Sequence, residues 1–264
     1  MDLQLKNKVA ILAASTDGLG LATAKQLLKE GAFVAICGRD EKRNATAYDV
    51  LVTNADREHV FVFACDVTDQ TQVNHFVAKT AEKFGQIDIV ITNAGGPPAG
   101  TFETVDMDAY EKGFRLTLMS AVYFIKATLS FLKKSTDPAI LTITSRSAKA
   151  PIPNLFISNV IRPAVIGLTK TLSQEFGTYG IRVNSILPGW TETERTIYLI
   201  EKRAEKLRLS YDECKSEIIK TFPLGRMGKP EEFANAATFL VSPAASYING
   251  VMLLVDGGDY PGLG

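Results

Sequence analysis

The chain has 264 residues, 46% of them hydrophobic, which is enough to build a full core and excludes an intrinsically disordered chain. Lysine and arginine together number 29, as do aspartate and glutamate, so the formal net charge is zero. This balance argues against nucleic acid or an anionic membrane as the main partner, because both bind clustered positive charge.

Cysteine and histidine are too few and too scattered to indicate a metal site. The cysteines, Cys37, Cys65 and Cys214, have no spacing typical of zinc ligands, and the histidines are His59 and His75. The N-terminus lacks a charged-then-apolar pattern, and no apolar run approaches 18 residues. We therefore predict no bound metal and a reduced, cytoplasmic location.

Short apolar runs alternate with longer amphipathic segments. Strands covered on both faces are apolar nearly throughout, and their alternation with helices predicts a parallel sheet. The predicted strands are 9–13, 33–37, 60–65, 87–92, 140–144, 182–186 and 251–255. Helical segments include 19–30, 70–84, 107–132 and 162–176. We predict one α/β domain over residues 1–264, a Rossmann-like doubly wound seven-stranded parallel sheet with helices on both faces.

Residues 190–221 interrupt this alternation, because they are charged and helical and contain no strand pattern. They follow the sixth predicted strand, at the edge where open α/β sheets bind ligands. We interpret this stretch as a helical lid over a site. The alternative is a solvated surface insertion.

The first strand leads into the loop Ala13-Ala-Ser-Thr-Asp-Gly18-Leu-Gly20, which opens the first predicted helix. Glycine lets the backbone approach a pyrophosphate, and the helix N-terminus supplies N–H groups and the positive end of a dipole. A lone GxG is weak evidence, but this one lies between a strand and a helix, as the mechanism requires. The loop residues predicted to bind a dinucleotide are Ser15, Thr16, Gly18, Leu19 and Gly20.

The end of the second strand indicates the type of nucleotide. An acidic residue there would bind a ribose 2′-hydroxyl and select NAD, but this chain has Gly38 followed by Arg39. A small residue beside a guanidinium suits a 2′-phosphate. We therefore favour NADP(H) over NAD(H), although Asp17 brings a negative charge near the expected phosphates. The alternative is that Arg39 is only a surface cation.

A buried strand delivers Ser145 at its C-terminal end, and Ser158 and Arg162 follow. This frame resembles the catalytic segment of the short-chain dehydrogenase/reductase family. Three further motifs extend the resemblance: Asp66-Val67, Asn93-Ala94-Gly95, and the loop with Pro188, Gly189, Thr191 and Thr193. By resemblance, these contact the adenine, support the sheet near the ribose, and flank the nicotinamide carboxamide. The matches span Val9 to Gly258.

The resemblance also implies a catalytic group of Ser, Tyr, Lys and Asn, of which this chain keeps one. Ser145 matches the Ser that polarises the substrate oxygen. Ser158 stands at the Tyr place, Arg162 at the Lys place that holds the ribose, and Thr117 at the Asn place. An aliphatic hydroxyl is far less acidic than a phenol, whose reference pKa is about 10. A proton transfer with unchanged roles is therefore doubtful.

Two more positions bear on the site. Ala14 stands where the family has glycine, and its methyl is either tolerated at an ordinary φ or narrows the cofactor approach. Pro163 disfavours helical backbone at the preceding residue, so a helix that begins only there would separate Ser158 from Arg162.

The sequence also contains two possible substitutes for the missing groups. Lys149 and Tyr198 are candidates to enter the pocket in place of the missing tyrosine. The Gly95-Gly96-Pro97-Pro98 turn is expected to line the pocket without contributing chemistry.

Three functions stay open on this reading. The first is an NADP-dependent oxidoreductase acting on a small carbonyl or alcohol. The resemblance to the family's oxoacyl-carrier-protein reductases and sugar dehydrogenases implies which substrate classes to test first. The second is a catalytically silent protein that binds and senses NADP(H). The third is a non-redox dehydratase or lyase on the same scaffold. The resemblance further implies a homotetramer, and the balanced charge predicts that the protein binds neither nucleic acid nor membrane.

Overall fold

Seven parallel strands form one sheet in the computed structural model, which describes residues 1–53 and 55–263. The strands are β1 (Val9–Leu12), β2 (Phe33–Gly38), β3 (Val60–Ala64), β4 (Ile89–Thr92), β5 (Ala139–Ile143), β6 (Arg182–Pro188) and β7 (Met252–Val255). Their spatial order is β3-β2-β1-β4-β5-β6-β7. The predicted fold class is confirmed, and the predicted strand ends differ by at most two residues.

Helices cover both faces of this sheet. They are α1 (Gly18–Lys29), α2 (Glu41–Val52), α3 (Gln70–Phe84), α4 (Met107–Phe114), α5 (Ser120–Leu132), α6 (Phe156–Glu175), α7 (Glu194–Leu207), α8 (Tyr211–Ile219) and α9 (Pro230–Val241). Successive side chains of a strand point to opposite faces. In β1, Leu12 packs into the core with α1 and α9, whereas Ile11 packs into the core with α3 and α5. The five inner strands, β1, β2, β4, β5 and β6, are therefore buried on both sides, which explains their continuous apolar sequence. The edge strands β3 and β7 are mostly half-buried.

The predicted helix 107–132 is divided by a π-helical turn at Arg115–Met119, between α4 and α5. By length and composition alone, the stretch Met107–Leu132 could cross a membrane. It packs here on β4 and α3, with Phe124 fully buried between them. Packing in the core explains part of the apolar composition, since 39% of its most apolar 18 residues are buried.

Helix α6 begins earlier than the sequence suggested, and the prediction of a segment starting at residue 162 was wrong. The helix begins at Phe156 and contains Pro163 in its interior. Its start is fixed by tertiary contacts: the Phe156 N–H donates to the carbonyl oxygen of Gly100 over 3.1 Å. The Asn159 side chain also bonds the backbone N–H and carbonyl of Ile152. These bonds outweigh the local preference that proline imposes on the residue before it.

Residues 190–221 contain helices α7 and α8, in agreement with their charged, helical pattern. The two helices share a small apolar core of their own, separate from the two cores of the sheet. Its buried members are Ile200, Ala204, Cys214, Ile218, Phe222 and Met227. The interpretation of this segment as a lid stays a prediction.

Candidate active site

A cavity of about 660 Å³ opens at the carboxyl ends of the strands. The chain runs outward from β1 to β3 and then returns to β4 on the other side of β1. This reversal of strand order is the place where open α/β sheets bind their ligands. The loops after β1, β2, β4, β5 and β6, together with the first turns of α7, line the cavity.

The glycine loop after β1 packs tightly against the start of α1. A Cβ added at Gly20 would lie 2.8 Å from the Cα of Ser15, and Gly18 has a φ of +54°. Ser15 is fully buried, and its hydroxyl donates to the carbonyl oxygen of Ala13. Ser15 and Gly20 therefore stabilise the loop on its buried side. Thr16, Gly18 and Leu19 line the cavity.

Ala14 adopts a φ of +44°, which excludes the first of the two alternatives for this residue, an ordinary φ. The left-handed region brings the Cβ of an L-residue too close to its own backbone. A hydrogen bond of 2.9 Å from Asn93 Nδ2 to the carbonyl oxygen of Ala14 holds this conformation. The loop thus keeps a glycine-like backbone without the glycine.

We expect Ala14→Gly to raise the free energy of unfolding by about 1 kcal/mol, because left-handed backbone costs a non-glycine residue that order of energy. Chemical denaturation measures the change. Ala45→Gly, at an exposed position of α2, is the matched control and is expected to lose about 1 kcal/mol. An equal loss in both variants would contradict strain at Ala14.

Two arginines lie at the end of β2, where sequence analysis identified one. Arg39 lines the cavity, its side chain is 71% exposed, and its nearest carboxylate is Asp66 at 3.7 Å. Arg43, one turn into α2, bonds Asp17 at 3.3 Å and Glu194 at 3.0 Å. The charge of Asp17 is therefore partly offset by Arg43, which Asp17 shares with Glu194, and this lessens the electrostatic objection to a phosphate at this loop. Arg43 was missed, although its spacing of four residues from Arg39 was visible in the sequence.

Ser145, Ser158 and Arg162 all line the same cavity. Ser145 Oγ accepts a hydrogen bond of 3.1 Å from the Ser147 N–H, which leaves its own proton available to a ligand. Because α6 is helical from Phe156, Ser158 and Arg162 share one face, one turn apart. Arg162 Nη1 donates to the carbonyl oxygen of Thr144 over 2.6 Å. Burial, with a contribution from the charge of Arg195, lowers the pKa of Arg162 to about 10, so it stays charged at neutral pH.

The other sequence candidates divide by position. Thr117 lies in the π-helical turn outside the cavity lining, and its buried Oγ1 has no hydrogen-bond partner among the residues that the structure describes. Lys149 lies outside the lining too, with its ammonium 5.7 Å from the centre of the Tyr260 ring. Tyr198 does line the cavity. Of the two substitutes considered, only Tyr198 is placed to approach a substrate.

Arg195, in the first turn of α7, lies inside the cavity and was not foreseen. Its Nη2 donates to the carbonyl oxygen of Pro97 over 2.7 Å. A Cβ added at Gly96 would lie 2.8 Å from Arg195 Nε, so the guanidinium rests on the bare backbone of that glycine. Gly95 and Gly96 of this turn line the cavity, and Gly96 also supports a charged side chain.

Comparison with known proteins agrees with this geometry. A family model described as enoyl-(acyl carrier protein) reductase matches residues 13–259. The chain belongs to the short-chain dehydrogenase/reductase family. It is 33% identical to dehydrogenase/reductase SDR family member 4 of Bos taurus, over 96% of this chain and 88% of that protein. It is 32% identical to a 3alpha-hydroxysteroid dehydrogenase of Mediterraneibacter gnavus, over 97% and 98% of the two chains.

Solved structures of this family superpose closely. L-sorbose reductase from Gluconobacter frateurii, complexed with NADPH and L-sorbose, gives a TM-score of 0.94 at 29% identity over the whole of both chains. A short-chain oxidoreductase from Pseudomonas aeruginosa PAO1, described as containing an atypical catalytic center, gives 0.87 at 33% identity, covering 96% and 97% of the chains. The expectation of an NAD(P)-dependent oxidoreductase is thereby confirmed.

The residues present suit the nicotinamide nucleotide of this short-chain dehydrogenase/reductase family. The bare backbone at Gly18 and the N-terminus of α1 form a cradle open to the cavity, as a pyrophosphate requires. The remaining predicted contacts that line the cavity are Gly38, Arg39, Val67, Asn93, Ala94, Gly95, Arg162, Pro188, Gly189, Thr191 and Thr193. Asp66 lies outside the lining, where its carboxylate accepts bonds from Thr68. Within the described residues, no group of three or more His, Cys, Asp and Glu is arranged to hold a metal ion.

Proposed function

We propose that this chain is an NADP-dependent oxidoreductase of the short-chain dehydrogenase/reductase family that acts on a small carbonyl or alcohol, with Ser158 and Arg162 in place of the usual Tyr and Lys. One observation carries the proposal. Ser145, Ser158 and Arg162 line the cavity that the glycine loop also lines, and Ser158 and Arg162 lie one turn apart on helix α6. A substrate oxygen at Ser145 would therefore lie beside the cofactor cradle.

Each residue has a role that its chemistry allows. When bound, the nicotinamide supplies or accepts the hydride. Ser145 donates its hydroxyl proton to the substrate oxygen as a hydrogen bond and polarises the carbonyl. Arg162, anchored to the Thr144 carbonyl, presents its other N–H groups to the cofactor ribose or to the substrate. Its charge favours the negative charge that develops on the oxygen during reduction.

The proton that completes reduction comes from water or from Tyr198. Ser158 keeps its proton at neutral pH, because an aliphatic hydroxyl is less acidic than a phenol. Tyr198 brings a phenol to the cavity wall, and its ring lies 5.4 Å from the guanidinium carbon of Arg195. In the family, a Tyr phenol lies beside a Lys cation. Here the Tyr198 phenol and the Arg195 guanidinium, both in the lid segment, form a comparable pair.

For the cofactor, we propose NADP(H) over NAD(H), supported by Arg39 and Arg43 at the end of β2. We expect Arg39→Asp to raise the Kd of NADPH about tenfold or more, while the Kd of NADH changes little, because a 2′-phosphate loses a charge-assisted bond and gains repulsion. Nucleotide fluorescence titration measures both constants. Lys42→Asp, an exposed position outside the cavity lining, is the control. Equal losses for the two nucleotides would refute the 2′-phosphate role.

We also propose a homotetramer, supported by the outer face of α6. Val160, Ala164 and Gly167 are exposed there and follow helical spacing. Small and apolar side chains in this pattern suit close pairing with a second copy of the helix. Sedimentation velocity tests the assembly, and a monomer at micromolar concentration would contradict it. The cytoplasmic location stays a prediction.

A silent NADP(H)-binding protein is the second candidate, favoured by the loss of the phenol at Ser158. It differs from the first in one result: tight binding of NADPH with no turnover on any carbonyl or alcohol. A dehydratase or lyase would instead convert a hydroxylated substrate without a change in nucleotide absorbance.

A further inference from the structure

Positive charge in the cavity is only partly balanced. Five arginines line it, and three of them face a carboxylate: Arg39 with Asp66, Arg43 with Asp17 and Glu194, and Arg146 with Asp259 at 2.9 Å. The two carboxylates that line the cavity, Asp17 and Glu194, both form ion pairs with Arg43. Within residues 1–53 and 55–263, Arg162 and Arg195 have no ion-pair partner.

These two guanidinium groups are also short of hydrogen bonds. A guanidinium has five N–H donors. Arg162 uses one on the Thr144 carbonyl, and Arg195 uses one on the Pro97 carbonyl. Both side chains line the same cavity. Burial lowers the pKa of both, and the charge of Arg195 adds to the effect on Arg162. A buried cation is costly unless a counter-charge compensates it.

Both groups are held in place before any ligand binds. Arg162 is fixed between α6 and the end of β5, beside Ser145. Arg195 is fixed between the bare backbone of Gly96 and the face of Tyr198. Preorganised donors lose little freedom when a ligand arrives, which is how a specific anion site is built. The cofactor ribose offers Arg162 neutral hydroxyls, which accept hydrogen bonds but leave both charges uncompensated.

We propose that Arg195 and Arg162 together bind a carboxylate of the substrate, so that the enzyme acts on a small oxo acid or the corresponding hydroxy acid. A planar carboxylate matches the fork of a guanidinium in a bidentate pair. With its carboxylate at Arg195, such a substrate can present its carbonyl oxygen to Ser145. Arg195 is then a specificity-determining residue delivered by the lid segment. This inference rests on the proposed function for the redox step, but the binding of the anion is independent of it.

The binding test needs no turnover, because Trp190, the single tryptophan of the chain, lines the cavity. Its fluorescence is titrated with NADP⁺ present, so that no hydride is available to reduce the ligand, using three acid and ester pairs: pyruvate and methyl pyruvate, acetoacetate and methyl acetoacetate, levulinate and methyl levulinate. We expect at least one acid to bind about 10- to 100-fold more tightly than its ester, the factor that a charge-assisted bond provides. If no acid binds better than its ester, the proposal is overturned.

Variants assign the discrimination to Arg195. We expect Arg195→Gln to lose about tenfold or more in acid affinity, while ester and NADPH affinities stay unchanged. Arg203→Gln, an exposed arginine of the same helix, is the matched control and keeps the wild-type preference. Gly96→Ala pushes the Arg195 guanidinium aside without removing its charge, and should also weaken the acid.

Three results would overturn the assignment. Arg195→Gln could weaken NADPH instead of the acid, which would make the residue a cofactor ligand. It could lower the affinities for acid and ester equally, which would show that Arg195 acts by packing and not by its charge. Inorganic phosphate could bind more tightly than every acid, which would make the group recognised a phosphate. Failure of the redox proposal looks different: the acid binds through Arg195, yet no oxo or hydroxy acid is turned over.

Discussion

Replacement of Ser145 by alanine is expected to lower kcat/KM about 100-fold or more, the loss typical of removing one donor to a developing oxyanion. The Ser145 hydroxyl lies in the cavity and accepts from the Ser147 N–H, so its proton is free for the substrate oxygen. The neighbouring hydroxyl of Thr144 contacts Ser185 Oγ and donates to the carbonyl oxygen of Ile186, so it does not replace that of Ser145. The Kd of NADPH should stay within about twofold, because the hydroxyl acts on the substrate.

Ser147→Ala is the matched control for this prediction, two residues away in the same turn. Ser147 Oγ is buried, lies outside the cavity lining and has no hydrogen-bond partner among the described residues. Removing an unpaired buried hydroxyl is neutral or stabilising. Steady-state kinetics and NADPH titration compare the two variants. If Ser145→Ala keeps wild-type kcat/KM, Ser145 does not polarise the substrate.

Gly20→Ala is expected to have the largest effect on the nucleotide site. The added Cβ would lie 2.8 Å from the Cα of Ser15, a backbone atom in the fully buried interior of the loop. The loop and the start of α1 must separate to admit it. Overpacking of this kind costs about 1–3 kcal/mol in the free energy of unfolding. We also expect the Kd of NADPH to rise about tenfold or more, since the displaced N–H groups are those that a pyrophosphate needs.

Gly177→Ala controls for the general cost of replacing a glycine. The nearest atom to its added Cβ is Asn249 Nδ2, at 3.8 Å, which is an ordinary contact. Its free energy of unfolding should change by less than about 0.5 kcal/mol, as for most surface substitutions. Denaturation and NADPH titration of both variants decide the case. Wild-type NADPH affinity in Gly20→Ala would show that the close packing of the loop is not needed for binding.

The sheet was predictable because a strand that is buried on both faces has a continuous run of apolar residues. Every strand of the observed sheet coincides with an apolar run, and helices cover the five inner strands on both sides. The ends of the strands are harder to predict from the sequence. β6 continues through Pro188 because Pro188 pairs with Val255 of β7, a partner distant in sequence. Local pattern cannot show such a partner.

Helix α6 shows where a local rule fails. The preference of the residue before proline is real, but Gly100 and Ile152 fix the start of the helix from outside it. Ala14 is a second case, in which Asn93 from the loop after β4 supports a backbone that alanine alone disfavours. In both, a bond from a distant segment decides the conformation.

The predicted cofactor contacts followed from the glycine loop, from the end of the second strand and from resemblance to the family, and most of them line the cavity, whereas Arg195 was not predicted. It lies among the charged residues of 190–221, where nothing in the sequence separates a cavity residue from a surface one. Its position depends on Gly96, 99 residues earlier, through the bare backbone on which it rests. Asp66 and Thr117 were expected in the site from resemblance, and both lie outside the cavity lining.

The most direct measurement is NADPH and NADH binding by nucleotide fluorescence, followed by turnover on a panel of carbonyl and alcohol substrates that includes oxo acids. The account predicts tighter binding of NADPH than of NADH, and nucleotide-dependent turnover of at least one carbonyl or alcohol substrate. Binding without any turnover would contradict the oxidoreductase proposal and leave a nucleotide-binding protein. Failure to bind either nucleotide would contradict the assignment of the cavity itself.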